Sequence, residues 1–568
     1  MEGVLNYFSK KLRLFSNVEE VGRVRIYFIF FVFIGFFSIL GGRLFFLTIV
    51  PNFILNSEGN PSIIPIDAIA RRDIVDRNGE LLATNIATAS VYANPKIIPN
   101  SLETAKKLKQ IFPSLNFKKL NNKLSSNKSF VWIKRFITPT QHQRINDLGI
   151  PGLYFEKGER RAYPYTSLFS HVIGSVGLDG YGLSGIEKAL ESELRYRRSE
   201  FKKAPIELSL DLKIQNIVSE ELKIAITKFN ARGGVGIVKD PNNGEILSIV
   251  SLPDFDPYNI ANAKEDALFN RATLGSYEVG SVIKPFTVAS AIDTEKISLK
   301  DVYDVNDPIH LARYQIKDLY KKNAWLSVPE ILMYSSNIGI AQIALELGKK
   351  NQYDYLKSLG FFSMTGIEIP EKSTPYYPAF SKWSKINMIT IAYGHGISVS
   401  PLHVAKAMSA IVNGGKLYPV TILKRKEPPQ YTQVCKESTS DIMRKLLRLV
   451  VKYGSGKKSE VNGYFVGGKT GTANKVIDGK YSKNLRISSF VAAFPIYNPK
   501  YVIHVMLDEP KGIKETFGFA GGGWTAAPVV SRIIKRIAML YNIPPQVVNK
   551  EKIENYLHVD YNFRQRIS

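Results

Sequence analysis

The 568 residues predict an α+β fold in which a mixed sheet is flanked by helices. A long helical segment, about 212–229, runs into two apolar strand candidates joined by turn residues. Further strand candidates and a last helix stand near the C-terminus, with helix-rich sequence between the two groups. Early and late strands separated by helices pair most simply as one sheet covered on its faces. A third observation, an apolar run near the N-terminus, places this fold behind a membrane anchor.

That run comes first. Residues 26–42 carry no charge, Arg43 interrupts, and 44–50 continue the apolar sequence. About 20 such residues cross the hydrocarbon core of a bilayer, so 26–50 is expected to be a single transmembrane helix. Arg43, near one end, can snorkel to the interface. Lys10, Lys11, Arg13, Arg23 and Arg25 precede the run, and no Lys or Arg follows it until Arg71. The positive-inside rule makes 1–25 a cytoplasmic tail and puts the bulk of the chain in the periplasm. A cleaved signal peptide fits less well, because the run is long and Gly41-Gly42 before Arg43 is a poor cleavage site.

Residues 51–205 read as an extended, mixed region with many Pro and Gly breaks and no catalytic cluster. Within it, Gly180-Tyr181-Gly182-Leu183-Ser184-Gly185 is a literal dinucleotide fingerprint. The second parallel strand ending in an acid that such a site needs is missing. A tight turn entering a helix is expected instead, with Glu187 in a structural hydrogen bond. Lys202-Lys203-Ala204-Pro205 marks a boundary. From 206 to 545 follow the long helix, strands at 233–239 and 245–250 around the turn Asp240-Pro241-Asn242-Asn243-Gly244, late strands at 469–473, 487–494 and 501–508, and a helix at 527–541. Residues 546–568 are left as a tail.

Composition narrows the function. A hydrophobic fraction of 45%, with 31 Phe and 29 Tyr, excludes a disordered chain. The net charge of +26 suits nucleic acid, anionic lipid or an anionic polymer. No zinc-finger, RRM or helix-turn-helix pattern is present and the Lys and Arg are spread out, so nucleic acid is not expected. The lone Cys435 allows no internal disulfide and lies in a polar segment. Seven histidines form no H-E-x-x-H, and there is no G-x-S-x-G elbow, which removes a Ser-His-Asp mechanism. His395 is read as structural.

Three ordered clusters carry chemistry: Ser281-Val282-Ile283-Lys284, Ser335-Ser336-Asn337 and Lys469-Thr470-Gly471-Thr472. S-x-x-K occurs at Ser125, Ser199, Ser281 and Ser455, so any one copy is weak. Only Ser281 is followed by S-x-N 54 residues on and by the chain's single K-T-G a further 134 on. Residues i and i+3 share a helix face, so Lys284 can reach the Ser281 hydroxyl. Burial disfavours the charged amine, and Lys469 as a second cation disfavours it further. A neutral Lys284 can then take the serine proton, which points to acyl transfer through a serine ester with lysine as base.

These clusters resemble those of class B penicillin-binding proteins, monofunctional peptidoglycan D,D-transpeptidases, most closely the division-specific FtsI type. The similarity extends to Arg71-Arg72-Asp73-Ile74-Val75-Asp76-Arg77-Asn78-Gly79, Arg161-Ala162-Tyr163-Pro164, Gly182-Leu183-Ser184-Gly185-Ile186-Glu187, and Tyr393-Gly394 followed by Val399-Ser400-Pro401-Leu402. Arg72 stands where the family has glycine, Val279 where it has proline and Ser400 where it has threonine; no reacting atom is lost.

The resemblance implies a pedestal of the dimerisation type over 51–205, a penicillin-binding/β-lactamase-like transpeptidase domain over 206–545, and no metal or cofactor. It implies that Ser281 is acylated by a stem peptide or a β-lactam and that Lys284 is the base. Ser335 relays the proton to the leaving D-alanine amine, and Asn337 binds peptide backbone or orients Lys284. Lys469, Thr470 and Thr472 hold the terminal carboxylate, Gly471 lets substrate approach the strand, and the N–H groups of Ser281 and Thr472 form the oxyanion hole. The implied setting is the division septum at the inner membrane, beside an FtsW-type glycan polymerase and other division proteins. An elongation-specific transpeptidase is the alternative. A β-lactamase fits less well, since no E-x-x-L-N lies between Asn337 and Lys469. A non-enzymatic β-lactam sensor fits less well too, since every reacting residue is present.

Overall fold

The computed structural model describes residues 27–43, 69–197, 203–311, 314–319, 324–477 and 480–562. The chain divides into two units, Met1–Ile69 and Ala70–Ser568. In the first, 27–43 is a helix with exposed apolar side chains such as Phe30 and Phe37. Residues 1–25, 26 and 44–50, which complete the expected tail and anchor, lie outside the described residues. Among the described residues no helix is long and apolar enough to cross a membrane.

The second unit begins with a sheet built on one long strand, β1 (Leu81–Ala93). It pairs antiparallel with β2 (Val131–Ile137) and along its length with β3 (Leu153–Ala162). The short strand Ile74–Val75 joins β1 and takes Ile206–Glu207 as a parallel partner, so the chain just past Pro205 completes this sheet. Glu187 is fully buried, with Arg71 Nη2 at 2.8 Å and Arg161 Nε at 2.6 Å. Arg71 Nη1 donates to the Gly180 carbonyl at 3.0 Å. The fingerprint-like glycines thus serve packing. A Cβ on Gly182 would lie 2.1 Å from the Glu187 carbonyl oxygen. The strand Gly182–Ser184 pairs antiparallel with Ser175–Val176, not with a parallel nucleotide-type neighbour.

The larger sheet is built from both ends of the rest of the chain. Helix α1 (Leu212–Lys228) starts at Asp211, whose carboxylate accepts from the N–H groups of Lys213 and Ile214 at 3.0 Å. Strands β4 (Gly233–Lys239) and β5 (Ile246–Leu252) form the early hairpin around Gly244, which has φ +86°. Helices α2 (Lys284–Asp293), α3 (Val328–Tyr334), α4 (Asn337–Leu347), α5 (Pro401–Val412) and α6 (Glu437–Lys452) intervene. Then come β6 (Gly467–Ile477), β7 (Lys480–Phe494), β8 (Tyr501–Asp508) and helix α7 (Ala526–Leu540).

The strand order is β5-β4-β8-β7-β6, with β6 at the edge. The α+β class and the helix-flanked sheet hold. Pairing within this sheet is antiparallel throughout, because its late strands follow one another directly. The period-2 alternation of β7 serves two layers: Phe490 packs toward α1 and α7 with Val218, Leu222 and Ile533, while Val491 packs toward α2, α5 and α6 with Phe286, Met408 and Leu447.

Three expectations shift. β6 and β7 run on beyond the sheet as a hairpin, over residues whose polar sequence did not read as strand. Cys435 is buried in the helical core and not set in a polar surface, and burial raises its thiol to about 12. The segment after 545 folds back on the domain: Leu557 enters that core, and the Tyr561 carbonyl accepts from Ser327 Oγ at 2.6 Å.

Candidate active site

The nucleophile turn is shaped by close backbone approach. Gly280 has φ +60° and donates its N–H to the Gly394 carbonyl at 3.2 Å. A Cβ on Gly394 would lie 2.1 Å from the Gly280 oxygen, and one on Gly280 would lie 2.6 Å from the Thr472 oxygen. Only glycines let these segments meet. Ser281 follows in a 3-10 turn (Gly280–Ile283) that leads into α2, and it remains partly accessible.

Lys284 opens α2 and is fully buried. Its Nζ donates to the Ser335 carbonyl at 2.5 Å and to Asn337 Oδ1 at 2.7 Å, with Ser335 Oγ at 3.3 Å. Burial pushes the amine down to about 7, and the Asp318 carboxylate opposes this. A neutral amine has two N–H groups and one lone pair. The two short contacts use the N–H groups and leave the lone pair for a hydroxyl proton.

Ser335 caps the C-terminus of α3 in the left-handed region at φ +62°, an uncommon conformation for a non-glycine residue and one that marks functional sites. Ser336 caps α4, accepting from the Gly339 N–H at 3.0 Å. Asp318 holds this junction: its carboxylate accepts from Ser336 Oγ at 2.7 Å, from the Ile338 N–H at 3.1 Å and from the Asn337 N–H. From the edge strand, Lys469 Nζ donates to Ser335 Oγ at 2.9 Å. It too is fully buried, and burial with the nearby Lys284 holds it well below the ordinary lysine range. The Ser335 hydroxyl therefore sits between two amines.

Thr470 Oγ1 is 2.8 Å from Ser455 Oγ. The exposed Thr472 has its Oγ1 held by the Gly522 N–H at 3.1 Å. At Gly471 the close approach is the protein's own: a Cβ would meet Ser489 Oγ at 2.5 Å and the Val279 oxygen at 2.8 Å. The structure thus gathers Lys284, Ser335, Asn337, Lys469 and Thr470 in direct contact, with Ser281, Gly471 and Thr472 on the segments packed against them.

The other S-x-x-K copies separate cleanly. Ser125 lies on the pedestal, donating to Ser101 Oγ at 2.9 Å. Ser199 lies outside the described residues. Ser455 touches Thr470, but its Lys458 turns away onto the Trp524 ring at 4.3 Å. Sequence reasoning missed the contacts of Asp318 and Ser455 with these clusters. His395 packs against Tyr393 and Tyr481 with centroids at 5.3 and 5.6 Å. Among the described residues no group of three or more His, Cys, Asp or Glu could hold a metal.

Two buried amines around one serine hydroxyl, next to a glycine-framed nucleophile and a free sheet edge, define a serine–lysine acyl-transfer enzyme. The penicillin-binding protein transpeptidase domain matches residues 234–535, and the penicillin-binding protein dimerisation domain matches 67–202. The chain is 38% identical to the probable peptidoglycan D,D-transpeptidase FtsI of Caulobacter vibrioides, over 83% of this chain and 81% of that one. It is 31% identical to the probable D,D-transpeptidase PenA of Neisseria gonorrhoeae, over 94% and 97%. The transpeptidase domain of penicillin-binding protein 3 from Burkholderia pseudomallei is 32% identical with a TM-score of 0.54, covering 60% of this chain and 98% of that one. Penicillin-binding protein 3 of Mycobacterium tuberculosis, solved with ampicillin, shares the fold at a TM-score of 0.68 and 24% identity, over 84% and 96%. The chain belongs to the penicillin-binding protein transpeptidase family, as a serine-type peptidoglycan D,D-transpeptidase of class B.

Proposed function

We propose that this enzyme cross-links stem peptides at the division septum, held to the inner membrane by residues 26–50, and that β-lactams inactivate it by acylating Ser281. Ser281 Oγ attacks the carbonyl between the two terminal D-alanines, and Lys284 accepts its proton. The oxyanion sits between the N–H groups of Ser281 and Thr472, where preorganised donors stabilise developing charge. Ser335, held between Lys284 and Lys469, passes a proton to the departing D-alanine amine. Asn337 fixes Lys284; Lys469, Thr470 and Thr472 receive the substrate carboxylate. A neighbouring stem-peptide amine then attacks the ester carbon and releases Ser281.

The observation that carries this reading is the full burial of Lys284, whose amine bonds to Ser335 and Asn337 rather than to a carboxylate. Labelled penicillin tests it. Ser281→Ala is expected to abolish labelling, whereas Ser125→Ala, Ser199→Ala and Ser455→Ala retain it; labelling that survives Ser281→Ala contradicts the assignment. Slow loss of the label over hours separates a transpeptidase from a β-lactamase.

The septal role is supported by the similarity to proteins named FtsI, and depletion is expected to give filamentous cells. Rounded cells with normal septa would assign elongation instead. The anchor, the pedestal over 51–205 and the domain over 206–545 fit docking to an FtsW-type polymerase through 26–200. Reporters fused after residues 20 and 560 are expected to read cytoplasmic and extracytoplasmic, respectively.

A further inference from the structure

The cleft holds a carboxylate that the mechanism above does not use. Glu278 lies three residues before Ser281 and is half-buried. Its Oε1 accepts from the Gly396 N–H at 2.8 Å, and the Tyr481 hydroxyl donates to its two oxygens at 3.2 and 3.0 Å. These are neutral donors. Among the described residues no Lys, Arg or His forms an ion pair with Glu278, although the chain carries 76 Lys and Arg. Asp318, a carboxylate bonded to the Ser335-Ser336-Asn337 cluster, is committed to Ser336 and the start of α4.

Three aromatic residues lie within the electrostatic reach of Glu278. Its charge bears on the phenols of Tyr393 and Tyr481 and on the His395 imidazole. The His395 ring stands between the two tyrosines, and its Nδ1 is buried without a partner. Gly394, between Tyr393 and His395, is the residue packed on the nucleophile turn. One carboxylate with spare acceptor capacity, set beside a cluster of aromatic residues, is the chemistry that recognises an ammonium group. In the proposed mechanism Lys469, Thr470 and Thr472 receive the donor's carboxylate. The second substrate of a transpeptidase is an amine, protonated at neutral pH.

We infer that Glu278, beside Tyr393, His395 and Tyr481, forms the subsite that receives the ammonium group of the acceptor before it is deprotonated and attacks the acyl-enzyme. The inference rests on the D,D-transpeptidase reading. Failure of that reading appears as no acyl-enzyme at all; failure of this one appears in how an existing acyl-enzyme is partitioned.

The test uses the full-length enzyme, a thioester donor and two acceptors: D-alanine, an ammonium at pH 7, and hydroxylamine, which is neutral there. The readout is the ratio of transfer product to hydrolysis product, which cancels any change in acylation. Glu278→Gln keeps an acceptor for Gly396 and Tyr481 but removes the charge. It is expected to lower the D-alanine ratio about tenfold, the scale of a hydrogen bond to a charged group, and to leave the hydroxylamine ratio within about twofold. Equal losses with both acceptors, or no loss with either, overturn the proposal. A measurement on the unmutated enzyme stands beside it. Tetramethylammonium chloride, compared with sodium chloride at equal ionic strength, is expected to depress transfer to D-alanine severalfold and spare transfer to hydroxylamine. Equal effects of the two salts overturn the proposal as well.

Discussion

The pedestal and the active site both bury cations, and they treat them in opposite ways. In the pedestal, Arg71 and Arg161 close on the fully buried Glu187, so each charge meets its counter-charge. In the active site, Lys284 and Lys469 are equally buried, and their contacts are carbonyl, amide and hydroxyl oxygens. Desolvation is costly in both places. Pairing offsets the cost in the first region and leaves an inert clamp. In the second, on the proposed mechanism, Lys284 meets the cost by giving up its proton near neutrality and serves as the base. Arginine suits the clamp because it does not deprotonate; lysine suits the site because it does.

The largest expected effect comes from erasing that distinction. Lys284→Arg keeps a cation that cannot become neutral, and acylation by labelled penicillin is expected to fall roughly 100- to 10,000-fold, the usual worth of a general base. Lys469→Arg retains a cation for the carboxylate and is expected to lose less. Equal, mild losses at both positions would remove Lys284 from its role. In the pedestal, Glu187→Gln takes the counter-charge from the buried Arg161 and leaves Arg71 with Glu191 alone, at 2.9 Å. The expected loss is roughly 3–5 kcal/mol of stability, read by chemical denaturation. A variant as stable as the parent would show that the clamp is not what holds Arg71 and Arg161.

Smaller effects sharpen the comparison. Asp318 raises the Lys284 pKa against the effect of burial. Asp318→Asn removes that charge and keeps an acceptor for the α4 N–H groups. The acidic limb of the acylation rate is expected to move to lower pH; a shift to higher pH would contradict the electrostatic account. Smallest is Ser455→Ala, which frees the Thr470 hydroxyl from its 2.8 Å partner. Penicillin affinity is expected to fall by about the net worth of one hydrogen bond, roughly 0.5–1.5 kcal/mol, with labelling retained.

Much of this contrast was legible in the sequence, for identifiable reasons. The three clusters are marked by their order and spacing, because only one S-x-x-K is followed by both partners. The strand 501–508 was marked by its mostly apolar run, and the long helix by apolar residues recurring among charged ones. The extension of β6 and β7 past the sheet was hidden, since a hairpin solvated on both faces carries no alternation. Asp318 and Ser455 were hidden because their roles depend on tertiary contact with Ser336 and Thr470. Cys435 was misplaced because its polar neighbours in sequence are not its neighbours in space. Glu187 was expected in a structural hydrogen bond and holds a doubly paired ion cluster.

The central claim is that burial, outweighing the nearby Asp318 charge, makes Lys284 a base near neutrality. The most direct measurement is the pH dependence of the acylation rate constant for labelled penicillin from pH 5 to 10. Below its pKa the amine is protonated and cannot accept the serine proton; above it the base is competent. The rate is predicted to rise with pH through a single acidic limb centred at about 7, and Lys284→Arg should remove that limb. A rate that is flat across neutrality, or that climbs only near the ordinary lysine range at about 10.4, would contradict the account.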